Sequence, residues 1–350
     1  MNLKLIPFNK NLFWKDWKIT KWITILASIL IFFDMPLRIY SEINRYNVFI
    51  KRIKDISETM ILNKSLEVGI EDVFNHIYGI TPYIILIYPI IIILILFGEE
   101  RRNKTMELMT YMPYSKYEIF FNKVLVGVTN IVIPYIINGI IILVILATHP
   151  VLKEIKNLYL NIMWIMNSII VSIAIMSFSL IFATLTANSI GQIALTSIFI
   201  YFPAGITVLL RINMEPMMIL RQGNMLYDRF YKISLIMHKF SPVDYIRFIN
   251  TTIELIILII VSIMLILISK KLFDKNKNER NGELLQFKNL ELFFKAGVTI
   301  CVMLTISPLI FQRVGKGSII GFILIYAIGA LIGLFISKKC IKLSKSSVTT

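Results

Sequence analysis

An all-α, multi-pass membrane fold is predicted by three features of this sequence. Its 350 residues are 57% hydrophobic and only 17% charged, with mean hydropathy +0.74, well outside the range of soluble chains. Its apolar residues fall in long runs of Ile, Leu and Val such as "YIILIYPIIIILIL" (83–96), and a helix needs about 20 such residues to cross the hydrocarbon. Between the runs lie Lys- and Arg-rich segments of the kind that anchor loops at headgroups. Uninterrupted aliphatic runs favour helices, because backbone polar groups in lipid must be satisfied within the segment.

About eight spans are expected, in order: Thr20 to Leu37, Gly79 to Phe97, Val124 to Thr148, Leu158 to Thr186, Ser189 to Leu210, Thr252 to Ser269, Ala296 to Phe311 and Ile319 to Ile336. The seventh is short and holds Pro308. Residues 1–272 read as one six-helix unit with an N-terminal interfacial helix, 273–295 as a cytoplasmic linker, and 296–350 as a transmembrane hairpin with a basic tail. The basic blocks "SKKLFDKNKNER" (269–280) and "SKKCIKLSKSS" (337–347) mark inside segments, which places both termini in the cytoplasm. The N-terminus has no short apolar core followed by a small-residue cleavage site, so the first span is expected to act as its own insertion signal.

A net charge of +16 is compatible with nucleic-acid binding, but in a chain with such spans the Lys and Arg suit anionic lipid, and nucleic acid is not expected as a partner. In residues 8–22, Phe13, Trp14 and Trp17 alternate with Lys15, Lys18 and Lys21, a pattern that fits a helix at the membrane interface. Cys301 and Cys340 are not placed to close a disulfide. His76, His149 and His238 are scattered through outer segments, so no metal site is expected.

The most informative stretch is "FGEERRNKTMELMTYMPYSKYEIFFNK" (97–123). Met106, Met109 and Met112 recur every three residues beside Leu108 and Tyr111, with Lys104, Glu107 and Thr110 elsewhere around the turn, which predicts a short amphipathic helix. Pro113 ends it, and Ser115 with Glu118 forms a capping box for a second helix that continues through Lys123 into the membrane. Such a helix could lie in lipid or seat in a partner's groove.

This stretch resembles the signature region of permease subunits of ABC-2 type exporters. The resemblance rests on Glu99 or Glu100 after the second span, Thr105, Glu107 and Leu108 in a Thr-x-Glu-Leu motif, Pro113 and Ser115 in a Pro-x-Ser turn, and Lys123 opening the third span. It implies an ABC-2 type six-helix core over residues 8–272 and an ATPase-coupling segment comprising Glu100, Thr105, Met106, Glu107, Leu108, Met109, Tyr111, Met112, Pro113 and Ser115. It also implies an entry helix at Phe13, Trp14, Trp17 and Lys18, and short helices in the loop before the sixth span. The implied partners are two copies of an ABC ATPase subunit, a second permease copy or paralogue, and membrane lipids in a bacterial plasma membrane. The apolar lining of the core spans suits a hydrophobic or amphipathic cargo, whether peptide, lipid-linked or drug-like.

No G-x-x-x-x-G-K-[ST] loop occurs, so ATP and Mg would sit on a separate chain and this one is expected to be neither an enzyme nor a holder of cofactors. Two rival readings remain. One is an ion-coupled secondary transporter, for which Asp34, expected to pair with Arg38, is the best foothold. The other is a non-transporting sensor or scaffold.

Overall fold

The computed structural model describes residues 8–52, 56–75, 79–100, 112–152, 155–186, 188–214, 225–246, 251–276, 290–314 and 319–346. They form helices α1 (Lys10–Asp34), α2 (Pro36–Ile50), α3 (Ile56–Asn75), α4 (Thr81–Ile93), a π-helical turn (Leu94–Glu99), and α5 (Lys116–Thr148). There follow α6 (Ile155–Leu185), α7 (Ser189–Met214), α8 (Met225–Lys239), a 3-10 turn (Pro242–Ile246), α9 (Thr252–Asp274), α10 (Leu290–Val314) and α11 (Ile319–Ser346). Among the described residues there is no β-strand.

Among the described residues, six segments are long and apolar enough to cross a membrane: Lys10–Ile50, Thr81–Gly98, Lys116–Thr148, Asn157–Leu185, Ser189–Met214 and Thr252–Asp274. Each overlaps one of the first six expected spans, the first extending well beyond Thr20 to Leu37 at both ends, and the chain has the pattern of a multi-pass helical membrane protein. The seventh and eighth expected spans form as helices α10 and α11 but are not among these six. Among the described residues the apolar stretch of α10 is Phe294–Ile310.

At the first span the structure departs from the expected division into interfacial helix and span. Phe13, Trp14, Trp17 and Lys18 lie in the first turns of α1, continuous with the membrane-length helix. The cause is a stripe of buried residues, Leu12, Asp16, Thr20, Thr24, Ala27, Ile31 and Asp34, that runs the whole length of the helix at helical spacing. Asn9 caps it, accepting from the backbone N–H groups of Asn11 and Leu12. Pro36 then begins α2, which continues from α1 and packs against α3 and α5.

The described residues group into two compact units. The first holds α1 to α5, α6 as far as Ile181, and α9; the second holds α6 from Phe182, α7, α8 and the residues to Asp244, with α10 and α11.

In the first unit the spans bury polar residues alongside a mainly apolar core and expose aliphatic side chains, as suits lipid. Along α5 the inward residues include Asn122, Lys123, Asn130, Asn138 and Gly139, while Ile136, Ile140 and Val144 are exposed. At Gly139 a side chain would collide with Ile165, its Cβ lying 2.2 Å from Cδ1, so glycine permits the contact in which Asn161 Nδ2 donates to the Gly139 carbonyl at 3.0 Å.

Helix-interior prolines supply a second kind of contact. Pro134 has no N–H, so the Asn130 carbonyl one turn earlier loses its helical donor; the buried Tyr88 hydroxyl donates to it instead, at 2.9 Å. The second unit repeats the device. Pro308 frees the Leu304 carbonyl, which accepts from Asn213 Nδ2 of α7 at 2.9 Å, while Asn213 Oδ1 accepts from the Tyr326 hydroxyl of α11 at 2.6 Å. Helices α10 and α11 pack backbone to backbone. A Cβ on Gly329 would lie 3.1 Å from Met303 Cα, and one on Gly333 would lie 2.8 Å from Thr299 Cα, so the G-x-x-x-G of α11 forms the seam of this hairpin.

Candidate functional site

Four elements of the first unit converge at the end where α1 begins, and a buried charge pair sits among them. Asp16 of α1 and Lys123 of α5 are almost fully enclosed, with side-chain exposures of 3% and 1% and a closest N–O distance of 3.8 Å. Lys123 is satisfied on three sides. Its Nζ donates to the Leu96 carbonyl inside the π turn at 2.5 Å, faces Asp16 Oδ2, and lies 5.3 Å from the centre of the Phe97 ring. A π turn shifts the carbonyls out of the i+4 pattern, which makes one available to a side-chain donor. Asp16 is held by a second cation, Lys15, whose Nζ is 3.1 Å from Oδ1.

Around this pair the packing is aromatic. The rings of Phe97, Phe120 and Phe273 meet pairwise at 5.5 to 6.2 Å, joining the π turn, α5 and the end of α9. Outside them Lys270 lies 4.0 Å over the Tyr117 ring and Lys116 Nζ donates to the Asp274 carbonyl at 3.2 Å. The residues that lead into α1 are fastened to the same place: Asn9 N donates to Asn122 Oδ1 at 3.1 Å, Phe8 packs at a tilt on Phe13, and Phe13 stacks on Trp17.

The residue preceding α5 makes the capping box expected from the sequence. Ser115 Oγ accepts from the Glu118 N–H at 3.2 Å, and Glu118 Oε2 accepts from the Ser115 N–H at 2.9 Å. Met112 is 49% exposed and Pro113 is exposed. The exposed turn therefore leads directly into α5, and the buried Lys123 lies about two turns further along the same helix.

From the charge pair a polar seam leads inward between α1, α4 and α5. Thr20 donates to the Asp16 carbonyl at 3.0 Å, Asn130 Nδ2 donates to Thr20 Oγ1 at 2.9 Å, and the Thr24 hydroxyl donates to Asn130 Oδ1. Tyr88 bridges Thr24 and the Asn130 carbonyl, and Asn138 Nδ2 donates to the Ser28 carbonyl at 3.1 Å. At the far end Asp34 accepts from the Thr81 N–H at 2.7 Å and pairs with Arg38 at 3.2 Å, the i, i+4 pair expected from the sequence.

Of the expected coupling residues, the structure places Met112, Pro113 and Ser115 at the entry to α5, and Glu100, buried, just after the π turn. Thr105, Met106, Glu107, Leu108, Met109 and Tyr111 lie outside the described residues. Phe13 and Trp17 join the aromatic stack and Trp14 is exposed. Sequence reading missed Asp16 as a partner for Lys123. The signal was available: Asp16, Thr20 and Thr24 recur every four residues, placing a carboxylate on the same face as the inward hydroxyls. Among the described residues no group of three His, Cys, Asp or Glu could hold a metal ion.

Comparison with protein-family models, with curated proteins and with solved structures gives no match. The fold and the site therefore stand on the chain's own geometry.

Proposed function

We propose that this chain is the membrane-spanning permease subunit of an ATP-driven exporter of the ABC-2 type, working with a separate ATPase. The reading rests on the resemblance of residues 97–123 to that family's coupling region. The observation that carries it furthest is mechanical. A capped, exposed turn at Met112 to Ser115 opens α5, and two turns further on the same helix is tied to α1 and the π turn through Lys123.

A push on that turn by a partner would reach three spans at once, because Lys123 cannot move away from Asp16 or Leu96 without stranding a buried charge. Two permeases, identical or paralogous, would then face two ATPases that bind ATP and Mg, and the apolar character of the spans suits a hydrophobic or amphipathic cargo. The secondary-transporter reading has less support. Asp34, its best candidate for an ion-binding carboxylate, has both oxygens engaged, one by Arg38 and one by the Thr81 N–H.

The test is to purify the chain from its native membrane in mild detergent and identify co-purifying chains by mass spectrometry. The proposal expects a P-loop ATPase at about one copy per permease, lost when Glu107 and Pro113 are replaced together. Transport by the purified chain with no ATPase present would overturn it.

A further inference from the structure

A second site lies in the other unit, at the end of α7 where α8 folds against it. The two helices enclose an open pocket of about 500 Å³ lined by Arg211, Tyr227, Tyr231, His238, Lys239 and Asp244 among others. The volume falls within the roughly 300–1,000 Å³ of small-ligand sites. Arg211 stands in the last turn of a membrane-length helix, and Lys239 and His238 stand in the last turn of α8, so three cationic or protonatable groups border one cavity. One carboxylate, Asp244, faces His238 at 3.8 Å.

Helix α8 has no buried residue. Opposite its pocket-lining face, Met225, Leu226, Ile233, Ile236 and Phe240 are all exposed, between 53% and 70%. A 15-residue helix apolar on the side away from its neighbour, with cations at the rim of a cavity beside a membrane span, has the composition of an element lying at the level of lipid headgroups. An acyl chain would find apolar cover along α7 at Val208 and Ile212, both exposed. The tyrosines give the pocket hydroxyl donors, and Arg suits phosphate through its planar fork.

We infer that this pocket binds the phosphate of an anionic phospholipid headgroup, with Arg211 and Lys239 as its cationic clamp and α8 resting in the surrounding lipid. The inference does not depend on the transport reading. Charge complementarity selects the lipid class: a net-neutral phosphocholine headgroup would bring its own cation into a cationic rim, whereas phosphatidylglycerol would not.

The test is native mass spectrometry of the full chain, released from micelles carrying equal amounts of dioleoylphosphatidylglycerol and dioleoylphosphatidylcholine. The wild type is expected to retain phosphatidylglycerol preferentially, and Arg211→Gln with Lys239→Gln to reduce that retention by roughly 20- to 30-fold, at about fivefold per cation. Asp244→Asn, which removes the repelling carboxylate, is expected to raise retention, and a gain cannot come from misfolding. Equal retention of both lipids, or no change in any variant, overturns the inference. So does complete displacement of the lipid by excess inorganic phosphate, which would show a site for free anion without acyl contact.

Discussion

The Asp16–Lys123 pair makes the sharpest prediction about this structure. Replacing Lys123 by Met keeps the length of the side chain but removes its charge, leaving Asp16 with Lys15 alone, whose side chain is 36% exposed, and the Leu96 carbonyl without its donor. Removing one member of a buried pair typically costs about 3–5 kcal/mol, because the remaining charge stays in a poorly solvating site. Replacing both, Asp16→Leu with Lys123→Met, removes both charges of the pair and leaves the Leu96 acceptor without the lysine, for about 1–3 kcal/mol. The double variant is therefore expected to be more stable than Lys123→Met by about 2 kcal/mol, a non-additivity that identifies direct contact. The assay is reversible unfolding in mixed micelles by SDS titration, followed by circular dichroism. A cost below about 1 kcal/mol for Lys123→Met, or a double variant no better than the single one, would refute the buried-pair reasoning.

Other consequences are equally concrete. Tyr88→Phe strands the carbonyl that Pro134 frees and is expected to cost about 1–3 kcal/mol in the same titration; Pro134→Ala with Tyr88→Phe should recover part of it by restoring the helical donor. Gly333→Leu drives a side chain into the Thr299 backbone, and is expected to separate α10 from α11, read as faster alkylation of Cys301, which the hairpin half-buries. Ser115→Ala removes a cap worth about 1 kcal/mol and should raise hydrogen exchange in the first turn of α5, leaving the middle of the helix unchanged. His149 follows α5 and packs edge-on against Tyr46 at 5.4 Å, and burial lowers its imidazole below the ordinary value. Above about pH 6.5 it is neutral folded and unfolded and contributes no pH dependence; as pH falls through that value the unfolded chain takes up a proton that the fold resists, so stability declines, and His149→Gln should flatten the decline.

The spans were legible because Ile and Leu runs leave few alternatives to a membrane helix, and the local motifs were legible because their partners are near in sequence. Ser115 with Glu118 and Asp34 with Arg38 are separated by three and four residues, and both pairs form. What sequence reading missed joins residues far apart. Asp16 and Lys123 are brought together only when α1 and α5 pack, and the Asn130 carbonyl finds Tyr88 only across helices. The alternation of Trp and Lys in residues 13–22 hid the continuity of α1, since outward-facing aromatics suggest a surface helix while the inward Leu12, Asp16 and Thr20 show one with the length of a span. The G-x-x-x-G of α11 was visible in the sequence and unused. The π turn has no comparable signal in "LILFGE".

The most direct test of the central claim, that the turn opening α5 is where a motor subunit pushes, is site-specific photocrosslinking in the native membrane. A benzophenone side chain at exposed Met112 should yield an adduct with a P-loop ATPase, and one at Leu235, exposed on α8, should not. If Met112 reaches only lipid while the cells still export the substrate, the turn is not the docking point and the exporter reading fails with it.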